Sequence, residues 1–549
     1  MSRFTEDLFH PSGTTGLVHG DPERLRHSSW REVHDDARRI AGGLARAGVG
    51  PGTAVAVLAG GPGDIARIAQ ACWMRGASVT MLHPPLPRTD LAEWATATGT
   101  VLEMIEAQLL ILGEPFPEDL AAGVTGVRIA TYATLLAAAA IEPLDPVEDE
   151  VALLQLTAGS TGTPKAVAIT HRNLYAGTAA LREIFDARPD RDSVVMWLPL
   201  YHDMGMICLV TSMRLGLPAL FVTPMDFLRK PLLLPELISA YRGTITCGPN
   251  FSYAILARRL RTAADGAYDL SSLRAVISGA EPIDPEVVRE FTIQAARFGM
   301  SAAAMAPAYG MAEATLLVSA SSGAGMLIDQ VDQEAVEHRA FAASAGAGRH
   351  MVRLGYPPAA MELRVVDAER RDLPARGVGE ILIRGASVTA YYLTPEGRIP
   401  ARDNEGWLAT GDLGYRTEDG ELVICGRAKD IIIIAGRNIL PTDIEWICET
   451  VPGVRAGNVV AIRTGTATGQ EGFAVLAESA WVTAESVDAA AVERLRDDIA
   501  TAVQRRLGIA PRHIGIVRPG TLPKTSSGKL RRDAARRLLD ANPILTAAR

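Results

Sequence analysis

Hydrophobic and polar positions follow two alternating periods along the first part of the chain. Apolar residues recur at helical spacing over residues 30–47, and a short apolar run follows at residues 54–58. The same succession repeats at residues 64–75 and 78–82. Helices that alternate with short apolar strands are typical of a parallel sheet covered by helices. The pattern therefore predicts an α/β fold.

The strand-like runs continue further along the chain, at residues 194–198, 220–222, 244–246 and 275–278. Two alanine-rich stretches, 135–140 and 300–306, are interpreted as helices that serve only packing, because alanine favours the helix. We expect layered α/β subdomains throughout this large N-terminal part.

The pattern changes near Gly426. Just before it, Asp419 and Gly420 separate two apolar runs, which predicts a β-hairpin. A shorter succession follows, with predicted helices at 442–449 and 487–507 and predicted strands at 459–463, 473–477 and 514–517. This indicates a small α+β domain of about 120 residues. We predict a large domain of residues 1–428 and a small C-terminal domain of residues 429–549.

Composition narrows the class of protein. The 549 residues are 48% hydrophobic and 21% charged, which is ordinary for a globular chain with several cores. The net charge is −8 without a basic stripe, so no nucleic-acid partner is expected. The five cysteines are scattered, which predicts neither a zinc site nor a disulfide framework. Without an apolar leader or a bilayer-length apolar run, we expect a cytoplasmic protein with no integral membrane segment.

A loop rich in glycine and hydroxyl groups lies between the strand-like runs 151–156 and 166–170. Its residues are Thr157, Ala158, Gly159, Ser160, Thr161, Gly162, Thr163, Pro164 and Lys165. Backbone N–H groups, hydroxyls and one ammonium suit a polyphosphate. A flexible surface hairpin would explain the glycines but not the four hydroxyls. The spacing is not that of a Walker A loop, so a nucleotide would bind in another fold.

Two further segments offer groups for a nucleotide and a metal ion. Tyr309, Gly310, Met311, Ala312 and Glu313 combine an aromatic ring that could stack on a base with a carboxylate that could hold a metal–phosphate complex. Alternatively, the ring belongs to the core and the carboxylate is a solvated acid at a helix start. Gly279, Ala280, Glu281 and Pro282 end a strand and open a helix, and by themselves they indicate only a turn.

Four charged positions follow in the later part of the chain, and one histidine precedes them. Asp412 comes directly after a glycine, and its short carboxylate suits a ribose diol, although an Asx-turn explains it equally. Arg427 and Lys429 lie in a segment that could be a basic linker. Lys529 ends a Ser-Ser-Gly loop that could project it, or it belongs to a frayed basic tail. His202 follows an apolar run, where a histidine is more often part of the core.

In this order, these segments resemble those of the adenylate-forming superfamily, which includes acyl-CoA synthetases, peptide-synthetase adenylation domains and luciferases. The resemblance covers essentially the whole chain and implies ATP and Mg²⁺ as cofactors. It implies that the glycine-rich loop with Lys165 holds phosphates, that residues 279–282 and 309–312 line the nucleotide, and that Glu313 binds Mg²⁺. Many relatives have threonine at the position of Ala312, so one hydroxyl toward the α-phosphate is absent or comes from Thr315.

The same resemblance implies roles for the remaining candidates. Asp412 and Arg427 would contact the ribose, and Lys429 would be the pivot that makes the small α+β C-terminal domain mobile. Lys529 would be the catalytic lysine that neutralises charge on the carboxylate and the α-phosphate as pyrophosphate leaves. His202, between the ATP and acyl pockets, would be a gate or would position the carboxylate.

Three features resemble the fatty acyl-AMP ligase branch of the superfamily: the strings at 198–205 and 248–253, Ala312 within its motif, and the roughly 42 residues between Glu313 and Gly355. Residues 329–353 resemble that branch's inserted motif, which implies a hampered domain rotation. The chain is therefore expected to adenylate a fatty acid and to pass it to the phosphopantetheine thiol of an acyl carrier protein. A fatty acyl-CoA ligase that uses free CoA is the alternative. An inactive adenylate-fold binding or regulatory protein is disfavoured because Lys165, Glu313, Asp412 and Lys529 are all present.

Overall fold

The computed structural model describes residues 2–11, 15–85, 90–158, 163–434, 436–465, 472–483, 488–524 and 530–541. The predicted α/β architecture is confirmed. Two eight-stranded sheets and a four-stranded antiparallel sheet lie in the larger part of the chain, and a three-stranded sheet lies near its C-terminus. No described helix is both long and apolar enough to cross a bilayer.

The strands up to residue 427 are β1 (Gly16–His19), β2 (Arg26–Ser29), β3 (Ala54–Leu58), β4 (Ser78–Met81), β5 (Ala107–Leu112), β6 (Arg128–Thr131), β7 (Val151–Ala158), β8 (Pro164–Thr170), β9 (Val194–Met196), β10 (Ala219–Phe221), β11 (Ile245–Gly248), β12 (Ala275–Ser278), β13 (Met305–Met311), β14 (Leu316–Ala320), β15 (Ile328–Val331), β16 (Arg349–Val352), β17 (Met361–Val366), β18 (Gly379–Gly385), β19 (Tyr391–Thr394), β20 (Gly397–Pro400), β21 (Leu408–Arg416) and β22 (Leu422–Arg427).

The α-helices of the same region are α1 (Arg3–Leu8), α2 (Trp30–Arg46), α3 (Pro62–Met74), α4 (Leu91–Met104), α5 (Tyr132–Leu136), α6 (His171–Phe185), α7 (Asp203–Leu215), α8 (Pro224–Arg229), α9 (Leu233–Tyr241), α10 (Asn250–Arg261), α11 (Pro285–Ala296) and α12 (Gln333–Arg339). Short 3₁₀ turns span Glu118–Ala121, Ala302–Ala304 and Ala312–Ala314.

Beyond residue 427 the elements form a smaller unit. They are a 3₁₀ turn (Ala428–Asp430), β23 (Ile432–Ile434), β24 (Arg437–Ile439), α13 (Pro441–Glu449), β25 (Val459–Thr464), β26 (Gly472–Glu478), α14 (Ala489–Leu507), β27 (His513–Val517) and α15 (Arg532–Ala541). All helices and strands predicted for this part occur within a few residues of their predicted bounds. The division at residue 428 remains a prediction.

Each large sheet has parallel strands at its centre and antiparallel strands at one or both edges. One has the order β14-β13-β12-β11-β9-β10-β1-β2, and the other has the order β20-β19-β8-β7-β4-β3-β5-β6. In such sheets ligands bind beyond the carboxyl ends of the parallel strands, which is where the turns after β12 and β13 lie.

A continuous core joins the two large sheets through the helices between them. Trp30 and Trp73 are fully buried in it. The Trp73 indole donates to the carbonyl of Ala152 on β7 at 2.8 Å, and the ring of Phe4 packs edge-on against it. The helices are thereby fixed against the strand that leads into the glycine-rich loop.

Two helix predictions need correction. Residues 300–306 were predicted to be helical, but only the turn at Ala302–Ala304 precedes β13. Met305 pairs with Val276 of β12, so parallel sheet pairing overrides the helix propensity of alanine here. The second alanine-rich stretch is helical only over α5, which Thr131 caps. The segment after α5 turns so that the carbonyl of Ala139 lies over Gly42, where a Cβ would come within 2.0 Å of it.

Candidate active site

Three sheets supply the candidate site. The hairpin β7–β8 belongs to one eight-stranded sheet, and the turn after β13 belongs to the other. Strands β21 and β22 belong to the four-stranded sheet. The predicted site residues are therefore far apart in sequence, and sheet packing brings several of them together.

The glycine-rich loop connects two antiparallel strands, with Thr157 directly opposite Lys165. Its central residues Gly159, Ser160, Thr161 and Gly162 lie outside the described residues. The hydroxyl of Thr157 is buried and has no hydrogen-bond partner within the described part of the chain, whereas Thr163 is exposed. A buried hydroxyl without a partner is rare in folded proteins and fits a site that a ligand completes.

Lys165 and Glu313 form an ion pair between the two large sheets. The ammonium of Lys165 donates to Oε1 of Glu313 at 3.1 Å. Glu313 is 8% exposed and lies in the 3₁₀ turn after β13, held there because its carbonyl accepts the N–H of Thr389 at 2.7 Å. The acid at this position is therefore not a solvated residue at a helix start.

Sequence reasoning missed Tyr392, which contacts both members of this pair. The Lys165 ammonium lies 3.9 Å from the centre of the Tyr392 ring, and the Tyr392 hydroxyl donates to Oε1 of Glu313 at 3.2 Å. Burial, and next the nearby Glu313 charge, raise the pKa of this hydroxyl well above its usual range. No local pattern could reveal the contact, because it depends on the pairing of β19 with β8, about 225 residues earlier in the chain.

A second cluster joins Tyr309, Asp412 and Arg427. The hydroxyl of Tyr309 donates to Asp412, and the Arg427 guanidinium forms an ion pair with the same carboxylate at 2.8 Å. Asp412 and Arg427 face each other across β21 and β22, so strand register fixes the ion pair. Burial raises the pKa of Asp412, and the opposing Arg427 charge limits that rise. Asp412 lies within β21, the first strand of the predicted hairpin.

Residues 279–282 form the turn between β12 and α11. Ala280 has a φ of +69°, a left-handed conformation that costs energy for a residue with a side chain. A Cβ on Gly279 would approach the carbonyl of Ala308 within 2.9 Å, so glycine lets the backbones of β12 and β13 meet. The Glu281 carboxylate accepts the N–H of Phe251 at 2.7 Å, which ties the turn to α10. Pro282 completes the turn.

The other positions of the tyrosine motif are held by strand pairing and by the core. A Cβ on Gly310 would lie 2.1 Å from the carbonyl of Leu316, so this glycine permits close strand pairing. Met311 ends β13 opposite the same Leu316. Ala312 is buried in the core. The hydroxyl of Thr315 donates to the carbonyl of Ser387 at 2.6 Å in a fully buried position, so it does not replace the missing hydroxyl.

His202 lies at the N-terminus of α7 within a small aromatic group. Its ring centre is 5.1 Å from that of Tyr201 and 5.7 Å from that of His83. Gln155 of β7 donates to the carbonyl of Tyr201 at 2.9 Å, which connects this turn to the strand of the glycine-rich loop. His83 was also missed, and its pKa is lowered by burial. Its only signal in the sequence is its place directly after the strand-like run 78–82.

Lys429 lies at the boundary of the small unit, in the 3₁₀ turn Ala428–Asp430. The ammonium of Lys429 lies 3.3 Å from the carboxylate of Asp533 on α15. Lys529 lies outside the described residues. The residues that flank its loop, Lys524 and Leu530, form a β-bridge.

Residues 329–353 fold into β15, α12 and β16 beside the small unit. Asp329 anchors the segment to the larger part of the chain, because its carboxylate accepts hydrogen bonds from Tyr415 and Arg376. On the other side, Arg349 forms an ion pair with Asp443 of α13 at 2.6 Å, and both side chains are at most 10% exposed. Glu337 of α12 pairs with Arg437 of β24 at 2.8 Å. The segment therefore bridges the two parts of the chain.

The residues present fit a Mg²⁺–phosphate complex. Mg²⁺ is usually held by one or two carboxylates together with substrate phosphates and waters, not by a complete protein cage. Glu313 offers such a carboxylate, and Oε2 accepts no hydrogen bond from the described residues. The described chain contains no cluster of three or more potential metal ligands.

The chain is similar in sequence and in fold to several known proteins. The family model described as AMP-binding enzyme matches residues 10–393. Rv1013 of Mycobacterium tuberculosis, a protein provisionally named a ligase, is 50% identical over 97% of this chain and 98% of its own length. A Caulobacter vibrioides protein provisionally named an acyl-CoA synthetase is 34% identical over 96% of this chain and 93% of its own length. A Teredinibacter turnerae medium-chain-fatty-acid–[acyl-carrier-protein] ligase is 33% identical over 72% of this chain and 64% of its own length.

A solved structure, from studies of the fatty acyl-adenylate ligases of E. coli and L. pneumophila, superposes with a TM-score of 0.89. It is 28% identical in sequence, and 98% of each chain is covered.

Proposed function

The chain belongs to the AMP-binding enzyme family, and we propose that it joins a fatty acid to AMP and then transfers the acyl group to the phosphopantetheine thiol of an acyl carrier protein. The observation that carries this proposal is the convergence of Lys165, Glu313, Asp412 and Arg427 from three separate sheets. Cations and carboxylates in this arrangement suit the phosphates, the metal ion and the ribose of ATP.

In the first half-reaction the fatty-acid carboxylate is the nucleophile. One of its oxygens bonds to the α-phosphorus, the bond to the bridging oxygen breaks, and pyrophosphate leaves. Lys165 and Lys529 would neutralise charge on the phosphates, and Glu313 would hold Mg²⁺, which when bound neutralises further phosphate charge. Catalysis then consists of orientation and electrostatic stabilisation, so no serine or cysteine nucleophile is required.

The aromatic group around His202 suits the position of the reacting carboxylate. Gln155 fixes the Tyr201 carbonyl against the strand that leads to the phosphate loop. His202 follows Tyr201 directly, so it would lie between the phosphates of ATP and the acyl group of the substrate. There it would act as a gate or would position the carboxylate.

The bridge formed by residues 329–353 supports a carrier protein as the acceptor. Thiol transfer in this scheme requires the small domain to rotate about Lys429, and both ion pairs of the bridge must separate first. A carrier protein can offset that cost with its own interface, whereas free CoA has less surface with which to do so. The relatives are named for different acceptors: one is named an acyl-CoA synthetase, and another is named an acyl-carrier-protein ligase.

Pyrophosphate release tests the first half-reaction. The protein is incubated with Mg²⁺–ATP and a panel of fatty acids of increasing chain length. We expect release that depends on the fatty acid and peaks at a particular length. If no fatty acid in the panel produces release, the proposed substrate class is wrong; if ATP–pyrophosphate exchange is absent as well, the chain is an inactive member of the family.

Competition tests the acceptor. CoA and holo-carrier protein are supplied at matched concentration to the intact protein and to a variant that lacks residues 329–353. We expect acyl transfer to the carrier protein by the intact chain and a gain of CoA thioester in the deletion variant. Efficient CoA thioester formation by the intact protein would overturn the choice of acceptor, and an unchanged CoA rate in a folded deletion variant would overturn the bridging mechanism.

A further inference from the structure

Tyr392 contacts both members of the Lys165–Glu313 ion pair, which would face the phosphates under the proposed function. It is opposite Val167 in the antiparallel pair β19–β8, and Lys165 lies two residues from Val167 on the same face. This diagonal placement lets an aromatic ring reach a long neighbouring side chain. The ammonium of Lys165 is 3.9 Å from the ring centre, close enough for a cation–π interaction.

The Tyr392 hydroxyl and the Lys165 ammonium both donate to Oε1 of Glu313, at 3.2 and 3.1 Å. Among the described residues, nothing donates to Oε2. Without a third contact, the lysine and the glutamate would pair mainly with each other. The carboxylate would then be less available to a divalent cation. The hydroxyl holds one carboxylate oxygen in place, and the ring gives the ammonium a second favourable contact in addition to the carboxylate.

We propose that Tyr392 is a positioning residue that keeps Lys165 and Glu313 separately available, the ammonium for a phosphate and Oε2 for a divalent cation. The inference rests on the proposed function, because it assumes that Mg²⁺–ATP is the ligand. It does not depend on the identity of the acyl substrate or of the acceptor.

Direct measurement of ATP binding tests this role without turnover. Isothermal titration calorimetry gives the Kd of ATP over a series of Mg²⁺ concentrations, with no fatty acid present. The variants are Tyr392→Phe, which keeps the ring, and Tyr392→Leu, which removes ring and hydroxyl. Tyr391→Phe is the matched control, because the neighbouring Tyr391 ring stacks instead on Arg398 at 3.9 Å.

For Tyr392→Phe we expect the Mg²⁺ concentration at half-maximal ATP affinity to rise about tenfold, the scale of a hydrogen bond to a charged group. At low Mg²⁺ its Kd should match that of the unmodified protein. Tyr392→Leu should in addition weaken ATP binding at every Mg²⁺ concentration by about threefold, through loss of the cation–π contact. The control should change neither quantity.

Unchanged Mg²⁺ dependence in Tyr392→Phe would overturn the inference. So would an equal loss in both variants at all Mg²⁺ concentrations, since that is the result of lost packing alone. Thermal melts confirm folding, and if Tyr392→Leu does not fold, Tyr392→Phe decides. If the unmodified protein fails to bind Mg²⁺–ATP, the proposed function fails; if it binds and the variants behave as it does, only the role of Tyr392 fails.

Discussion

The site around Lys165, Glu313 and Asp412 is held together by strand pairing and sheet packing, whereas the boundary of the small domain is held together by side-chain contacts alone within the described chain. Asp412 meets Arg427 through strand register, and Lys165 meets Glu313 through the packing of two sheets on one core. At the boundary, the bridge of residues 329–353 reaches the small domain through the ion pairs Arg349–Asp443 and Glu337–Arg437 and through a buried apolar cluster that includes Met351 and Leu440. No sheet of the described chain contains strands from both sides of this boundary.

The difference indicates which part of the site is preorganised and which part can separate. Sheet register cannot change without unfolding, so under the proposed function the nucleotide cradle would be fixed before ATP arrives. The side-chain contacts of the boundary, two ion pairs and an apolar cluster, can separate and re-form while each side stays folded. A rigid cradle beside a separable boundary is what an enzyme with two half-reactions requires, and each prediction below perturbs one side of this comparison.

The largest effect is expected at Lys529, which the small domain carries. Lys529→Ala should lower the rate of acyl-adenylate formation by at least about 10²-fold, the usual scale for one lost transition-state donor. Thioester formation from supplied acyl-adenylate should change far less, because the lysine acts only in the first half-reaction. Single-turnover assays of the two steps measure both rates.

Lys524→Ala is the matched control, since that ammonium donates to the carbonyl of Gly457 within the small domain. Equal losses in both half-reactions for Lys529→Ala would refute this division of labour.

On the rigid side, Asp412→Asn should weaken ATP binding by about tenfold. The substitution removes the charge that Arg427 and Tyr309 share, while the strands that carry these residues remain paired. The KM for ATP should therefore rise, and the melting temperature should stay nearly unchanged. Asp419→Asn in the exposed turn of the same hairpin is the control, and similar effects of the two variants on KM would contradict a nucleotide role for Asp412.

Weakening the contacts at the domain boundary should have a smaller effect, and it should increase CoA thioester formation where the previous substitutions decrease activity. Arg349→Met combined with Asp443→Asn removes a buried ion pair without leaving an unpaired charge. We expect the ratio of CoA thioester formation to adenylation to rise about fivefold, because rotation becomes easier. Arg364→Met with Asp372→Asn removes an ion pair elsewhere in the large domain as a control. A ratio that stays at the original value would show that the bridge does not restrain rotation.

The smallest expected effect is a change with pH in how strongly the small domain docks against the large domain. Burial, with smaller contributions from Asp284, Glu445 and Glu281, raises the pKa of Glu449 to about 7 in this arrangement. With the small domain undocked, that pKa falls towards the ordinary value of about 4.5. The docked form then binds more protons between these values, so docking strengthens as pH falls from 8 to 6.

Hydrogen exchange of amides in α11 and α13 at pH 6 and pH 8 measures this change. We expect greater protection at pH 6, and Glu449→Gln should remove the difference. A pH difference that persists in Glu449→Gln would assign it to another group.

Local chemistry allowed much of this site to be predicted from the sequence, and long-range pairing limited the rest. The glycine-rich loop, the turn after β12 and the acid after β13 each have a signature within a few residues. Tyr392 and Gln155 have none, because their contacts depend on which distant strand or turn lies beside them. The helix predicted at residues 300–306 was wrong for the same reason, since β12 draws Met305 into the sheet.

The most direct test of the central claim is detection of acyl-AMP itself. The protein is mixed with Mg²⁺–ATP and its best fatty acid in the absence of any thiol, and the quenched mixture is analysed by mass spectrometry. We predict one equivalent of acyl-AMP per site, together with pyrophosphate, and loss of both in Lys529→Ala. Hydrolysis of ATP to ADP and phosphate, or no acyl-AMP with any fatty acid that the protein binds, would contradict the account.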